Sequence, residues 1–257
     1  MDEKKFVEVL KQRLLIEFKI MDRSGVYGYT QRSMAYNSNK IEGSTLTERQ
    51  TASLFDTGTF FSDDADEIFR AKDVEEMNGH FKMFNHMLKH LGEPISEEFI
   101  KSLHRSLKES VFEDFANGYA VGDWKKRKNM VGNIQTAAPN EVPEKIAELI
   151  SKYVQKKVVT LKDISWFHAE FEAIHPFQDG NGRVGRMLLL KQCLDANIIP
   201  VIIRDENKVL YYRCLEKAQI KHNYVPLIEY FEKEQKRYHN DTVEMLFEYD
   251  SPELQKV

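Results

Sequence analysis

Cysteine is scarce: the 257 residues contain only Cys193 and Cys214. They form no CxxC pair and no zinc-ligand spacing, which excludes a disulfide framework and a cysteine-built structural zinc site. An excess of one charge is also missing, since 37 Lys plus Arg stand against 41 Asp plus Glu, a net of −4. That balance argues against a general nucleic-acid coat and leaves room only for a local basic patch. The most apolar stretch, Ile198-Ile199-Pro200-Val201-Ile202-Ile203, is far too short to span a bilayer. Met1-Asp2-Glu3-Lys4-Lys5 leads into an amphipathic pattern rather than an apolar signal region. A cytoplasmic address with no membrane partner is the expectation. No internal repeat or low-complexity linker interrupts the chain.

What remains is an ordinary globular composition, 42% hydrophobic and 30% charged, in a chain long enough for a sizeable core. Its periodicity is helical. Phe6, Leu10, Leu14 and Phe18 recur every four residues. The pattern predicts further helices over Tyr29–Ile41, stopped by Gly43, and after the capping box Thr47-Glu48-Arg49-Gln50. Others follow over Ala65–His90, from Ser96, and over Glu144–Lys157, Lys162–Ile174 and Asn181–Ala196, with two or three more between Glu206 and Glu248. Glycines and asparagines between Gly118 and Asn140 predict a loop with a short β-hairpin. Ile198 to Ile203 reads as a short strand. The expected fold class is mainly α, with a β-hairpin flap and with chain regions 1–64, 65–204 and 205–257 forming one compact unit.

The chemistry concentrates in His175-Pro176-Phe177-Gln178-Asp179-Gly180-Asn181-Gly182-Arg183-Val184-Gly185-Arg186. Pro176 ends one helix, the glycines allow a tight turn, and the next helix opens with unpartnered N–H groups that suit an anion. Arg183 and Arg186 stand three apart at the positive end of that helix. Cations there cost about 0.3–1 kcal/mol each, which an anion with several charges would offset. Asp179 suits a divalent cation bound with phosphate oxygens. His175 is a base candidate. Singly, each of these features is an ordinary structural one; their conjunction within twelve residues is not.

This segment resembles, at every defining position, the HxFx(D/E)GNGRxxR motif of the Fic (Fic/Doc) family. Trp166-Phe167-His168 and Gly122-Asp123-Trp124-Lys125 extend the resemblance, which covers about Ala65 to Arg204. It implies a Fic-type helical bundle and transfer of AMP from ATP to a Tyr, Thr or Ser hydroxyl of a target protein, or of the chain itself. His175 would be the base and Asp179 the Mg²⁺ ligand. Gly180, Asn181 and Gly182 would shape the anion hole, with Arg183 and Arg186 on the phosphates.

Ser38-Asn39-Lys40-Ile41-Glu42-Gly43 is the second informative segment. Ser38 and Glu42 share a helix face, and Glu42 lies at a helix C-terminus, where an anion is disfavoured. On the residues alone Glu42 reads more readily as a solvated acid. The segment resembles the family's inhibitory (S/T)xxxE(G/N) motif, with Ser38, Glu42 and Gly43 at its defining positions. The resemblance implies that Glu42 pairs with Arg186 and holds the enzyme off, in the class with an N-terminal inhibitory helix.

Met130 and Val131 are candidate clamps over a target segment laid on the flap. Lys125 to Lys128 read as solvated charge, and His80, His86 and His104 as packing or surface residues. His168 and His175 lack a zinc-type spacing. Kinase-type relatives carry Lys at the position of Gly182, which weighs against that chemistry. AMP removal, transfer of another nucleotide or phosphate group, a silent binding module and a DNA-binding regulator are the alternatives. Lys217, Lys221, Lys233, Lys236 and Arg237 are interspersed with acids, so no recognition face emerges. A homo-oligomer is compatible with the sequence.

Overall fold

Helical periodicity becomes helix along most of the chain. A computed structural model describes residues 2–59, 62, 68–131 and 134–247. Among these, α1 (Glu3–Ile20), α2 (Val26–Ile41), α3 (Glu48–Thr57), α4 (Ala71–Lys89), α5 (Glu97–Lys108) and the short α6 (Phe112–Ala116) precede a hairpin of β1 (Met130–Val131) and β2 (Ile134–Gln135). Then come α7 (Val142–Val154), α8 (Leu161–Ile174), α9 (Asn181–Asp195), α10 (Lys208–Lys221) and α11 (Val225–Phe247).

Side chains set the starts. Thr47 and Gln50 form a complete capping box on α3, and Thr160 with Asp163 does the same for α8. Ser96 accepts from the Phe99 N–H at the start of α5. The stop after α2 falls at Gly43, with φ 92°. The hairpin is antiparallel, with Met130 opposite Gln135 and Val131 opposite Ile134.

α9 is the centre. Every residue from Asn181 to Leu194 is buried, and α2, α4, α5 and α8 surround it. A helix enclosed on all sides must find partners for any charge it carries. Lys191 illustrates this: its Nζ donates to the His90 and Glu93 carbonyls and to Asp195 at 2.6 Å.

Several expectations need correction. α2 begins at Val26, before Tyr29, because Glu17 of α1 caps it by accepting the Tyr27 N–H at 2.8 Å. The helix expected from Ala65 starts at Ala71; residues 65–67 lie outside the described residues, and 68–70 are not helical. α7 starts at Val142, with Pro143 in its first turn, where proline's missing donor costs nothing. Ile198 to Ile203 is not a strand. Ile199, Val201, Ile202 and Ile203 are buried as an irregular connection, and Gln235 donates to the Ile199 carbonyl in place of a neighbouring strand. A short apolar run reports burial without specifying its backbone. The five-residue α6 was not legible at all.

Glu17 is 1% exposed and also accepts from Arg13 at 2.9 Å. Glu17→Ala removes the acceptor of the buried Tyr27 N–H in the first turn of α2 and one of the contacts of Arg13, so a loss of about 1–3 kcal/mol is expected. Chemical denaturation checks this; an unchanged midpoint contradicts the capping role.

Candidate active site

α8 ends at His175 in the left-handed region, φ 53° and ψ 63°, with its N–H donating to the Phe171 carbonyl. The chain then turns through residues 176–180 into α9. Asn181 closes that turn: its Oδ1 accepts the Phe177 N–H at 2.7 Å and its Nδ2 donates to the Phe177 carbonyl at 2.9 Å. Gly180, at φ 80°, is the N-cap residue of α9. The N–H groups of the first turn beyond it have no acceptor within the helix, an arrangement that suits an anion.

Arg183 turns into the protein. It is 2% exposed and meets Glu76 of α4 at 2.5 Å and Asp179 at 3.4 Å. Lys108 completes the cluster with contacts to Glu76, Asp114 and Asp179 at 2.5, 2.9 and 2.8 Å. Lys72 reaches Asp179 at 3.6 Å and Glu113 at 3.3 Å. Burial opposes a charge on Asp179, yet Arg183, Lys108 and Lys72 hold its carboxyl well below the usual carboxylate range. The side chain remains 31% exposed. One ionised, accessible carboxylate fits Mg²⁺ bound through a single protein ligand plus phosphate oxygens and water.

Arg186 points the other way, to α2. Its Nε donates to Ser38 Oγ at 2.8 Å, and its Nη2 donates to the Ser38 carbonyl at 3.0 Å and to Glu42 Oε1 at 2.7 Å. The carboxylate partners of the two arginines differ: Arg183 pairs with Glu76 of α4 and Asp179 of the turn, and Arg186 with Glu42 at the end of α2, while Arg183 also donates to Asn39 Oδ1 of α2 at 3.4 Å. Gly182 lies beneath this contact, where a Cβ would collide with Glu42 Oε1 and lie 2.9 Å from Arg186 Nη1. A side chain at position 182 is incompatible with Glu42 in this place.

Burial pushes the His175 imidazole down to about 4; the Lys125 ammonium acts in the same direction, and Glu42 and Asp179 oppose it. Lys125 is not solvated as its basic neighbours are. It is 2% exposed, and its Nζ donates to Asn129, Thr136 and the Ile174 carbonyl. Its own N–H donates to the Pro176 carbonyl at 2.8 Å, and Asn129 donates to that of Phe177. The flap is thus tied at its base to the turn carrying His175. Met130 is 68% exposed on it, and Val131 contributes its backbone to the hairpin ladder.

Sequence reasoning missed other residues. His104 stacks on Phe177 at 3.9 Å and accepts the Gly122 N–H at Nδ1, so Nε2 carries the proton given to the Asp179 carbonyl. It anchors the turn and is more than packing. A cleft of about 700 Å³ joins Glu42, His175, Gly182 and Arg186 to Tyr211, Tyr212, Leu215 and Gln219 of α10. The buried His168 accepts at Nε2 from the Tyr211 hydroxyl at 2.8 Å while Nδ1 faces the Gly185 carbonyl, fixing that wall. Nothing in the linear spacing announces α10 as part of the site.

Residues 94–193 match the model of the Fic/DOC family. The chain is 27% identical over 186 residues to "Protein adenylyltransferase Fic" of Nematostella vectensis, covering 71% of this chain and 42% of that protein. It is 25% identical over 189 residues to "Protein adenylyltransferase fic-1" of Caenorhabditis elegans, covering 72% and 36%. The chain thus spans about two fifths of the length of these curated relatives. A Fic domain containing signaling protein from Bacteroides thetaiotaomicron superposes with a TM-score of 0.76 at 22% identity, over 95% of this chain and 97% of that one. Fic-1 (residues 134–508) from C. elegans gives 0.68 at 21%, over 93% and 72%. These two likenesses are of fold.

Because burial depresses its protonation, His175 is expected to stay neutral from pH 8 down to about 5, where an ordinary histidine is mostly protonated. A histidine titration by NMR checks this. A midpoint near 6.5 would contradict the buried environment.

Proposed function

We propose that this chain, which carries a Fic/DOC family domain, is a protein adenylyltransferase whose resting form is held off by Glu42. The observation that carries the reading is the convergence on one cleft of a neutral histidine, the first turn of α9 at Gly182 and an arginine capped by a carboxylate, with the ionised Asp179 on the turn that joins His175 to that helix. ATP is the donor that suits it. Tyr212 and Ile220, 42% and 57% exposed, offer an apolar wall for the base. The phosphates meet the first turn of α9, where Gly180, Asn181 and Gly182 shape the hole; Arg183 braces it, and Arg186 receives the terminal phosphate once free of Glu42. Asp179 would hold Mg²⁺, whose charge offsets that of the phosphates.

The reaction then follows from placement. His175 accepts the proton of a Tyr, Thr or Ser hydroxyl on the target, and that oxygen attacks the α-phosphorus. The bond from the α-phosphorus to the oxygen bridging to the β-phosphate breaks, and pyrophosphate leaves. At a depressed pKa the imidazole is a ready but weak acceptor; the negative charge of a bound polyphosphate raises it toward the working range. The hairpin presents the target, with Met130 and Val131 beside it and backbone pairing supplying alignment with little sequence demand.

Ser38 and Glu42 provide the control, with Gly43 ending their helix. While the carboxylate holds Arg186, the terminal phosphate has no cation to seat it, and the α-phosphate is not lined up for attack. Removing a charge-assisted contact of about 1.5–3 kcal/mol corresponds to roughly ten- to a hundredfold in rate.

Glu42→Gly is therefore expected to raise protein labelling from α-labelled ATP with Mg²⁺ by about that factor. Adding His175→Ala should lower it again by roughly a hundredfold or more. Labelling from the γ-phosphate alone would replace the reading with a kinase, and an unchanged rate in Glu42→Gly would remove the brake. Loss of a pre-installed AMP from a target, without labelling, would favour AMP removal.

A further inference from the structure

The reaction outlined above leaves one buried acid unused. Glu172 lies on α8, one turn before His175, and is 8% exposed. Its Oε1 has no hydrogen-bond partner among the described residues. Burial pushes the carboxyl up to about 8, against the pull of Arg186 and with the repulsion of Glu42. At neutral pH it is therefore largely a neutral acid, able both to donate and to accept a hydrogen bond.

Such a group has no structural reason to be there. A buried polar atom without a partner is destabilising, and an apolar side chain of the same length would pack more favourably. The fold nevertheless makes room for it. Gly185 faces the carboxyl from α9, and a Cβ at that position would collide with Glu172 Oε1. The side chain lines the cleft shared by His175, Arg186, Tyr211, Leu215 and Gln219. Destabilising groups kept at the wall of a cleft point to a ligand. The phosphates already have partners in Arg186 and the α9 start, and a carboxyl group matches a hydroxyl better than a phosphate oxygen.

We propose that Glu172 is a ligand-contacting residue of this cleft, its carboxyl group hydrogen-bonding a ribose hydroxyl of the bound nucleotide. The inference rests on the nucleotide reading above and adds a means of selecting ribonucleotides.

The test compares the full chain with Glu172→Gln and Glu172→Met, each with and without Glu42→Gly. Calorimetry measures binding of ATP and of 2′,3′-dideoxy-ATP, and thermal unfolding is followed in the same samples. Glu172→Met is expected to raise Tm, weaken ATP binding about tenfold and leave dideoxy-ATP binding unchanged. Glu172→Gln, which keeps donor and acceptor, should retain most of the ATP affinity. Equal weakening for both nucleotides, or ATP binding that Glu172→Met leaves intact, overturns the inference alone. Binding of neither nucleotide to any Glu172-containing chain overturns the nucleotide reading and this inference with it.

Discussion

Arg186 is 3% exposed, and a guanidinium so far from water needs acceptors on every side it presents. Ser38 supplies two and Glu42 the charged one, from α2 and its C-cap. The remainder of the site is arranged around that contact. Glu17 fixes where α2 begins, and Gly182 leaves the space that the Glu42 carboxylate fills. This ion pair ties the C-terminal end of α2 to the first turns of α9. Glu42 is 29% exposed while Arg186 is enclosed, so the carboxylate is the more accessible partner.

The second charge cluster works differently. Arg183, Lys108, Glu76, Asp114 and Asp179 neutralise one another inside the protein, and losing one member would leave another buried and uncompensated. That makes the cluster a fixed frame for the turn, with Asp179 as its accessible corner. Arg183 pairs with the carboxylates of this frame and Arg186 with Ser38 and Glu42, a division that their common spacing on one helix conceals.

The mainly helical fold was legible because its signals are local: the four-residue recurrence in α1, the Thr47 capping box, the Gly43 stop and the glycine-rich turn before α9. The twelve-residue motif and the Ser38-to-Gly43 segment named the residues that the structure brings together. What could not be read was set by tertiary packing. Ile198 to Ile203 has strand-like composition, but no strand among the described residues lies beside it, so it packs as irregular chain. Lys125 sits in a basic run that looks solvated, and only the fold shows its amine enclosed by Asn129, Thr136 and the Ile174 carbonyl. His104 and Tyr211 join the site from helices distant in sequence, held by hydrogen bonds that no spacing rule anticipates.

The most direct measurement is a crystal structure of the Glu42→Gly chain with a non-hydrolysable ATP analogue and Mg²⁺. The expected result places the terminal phosphate within hydrogen-bonding distance of Arg186 and the base against Tyr212. An Arg186 still bonded only to Ser38, with the phosphates bound elsewhere, would contradict it.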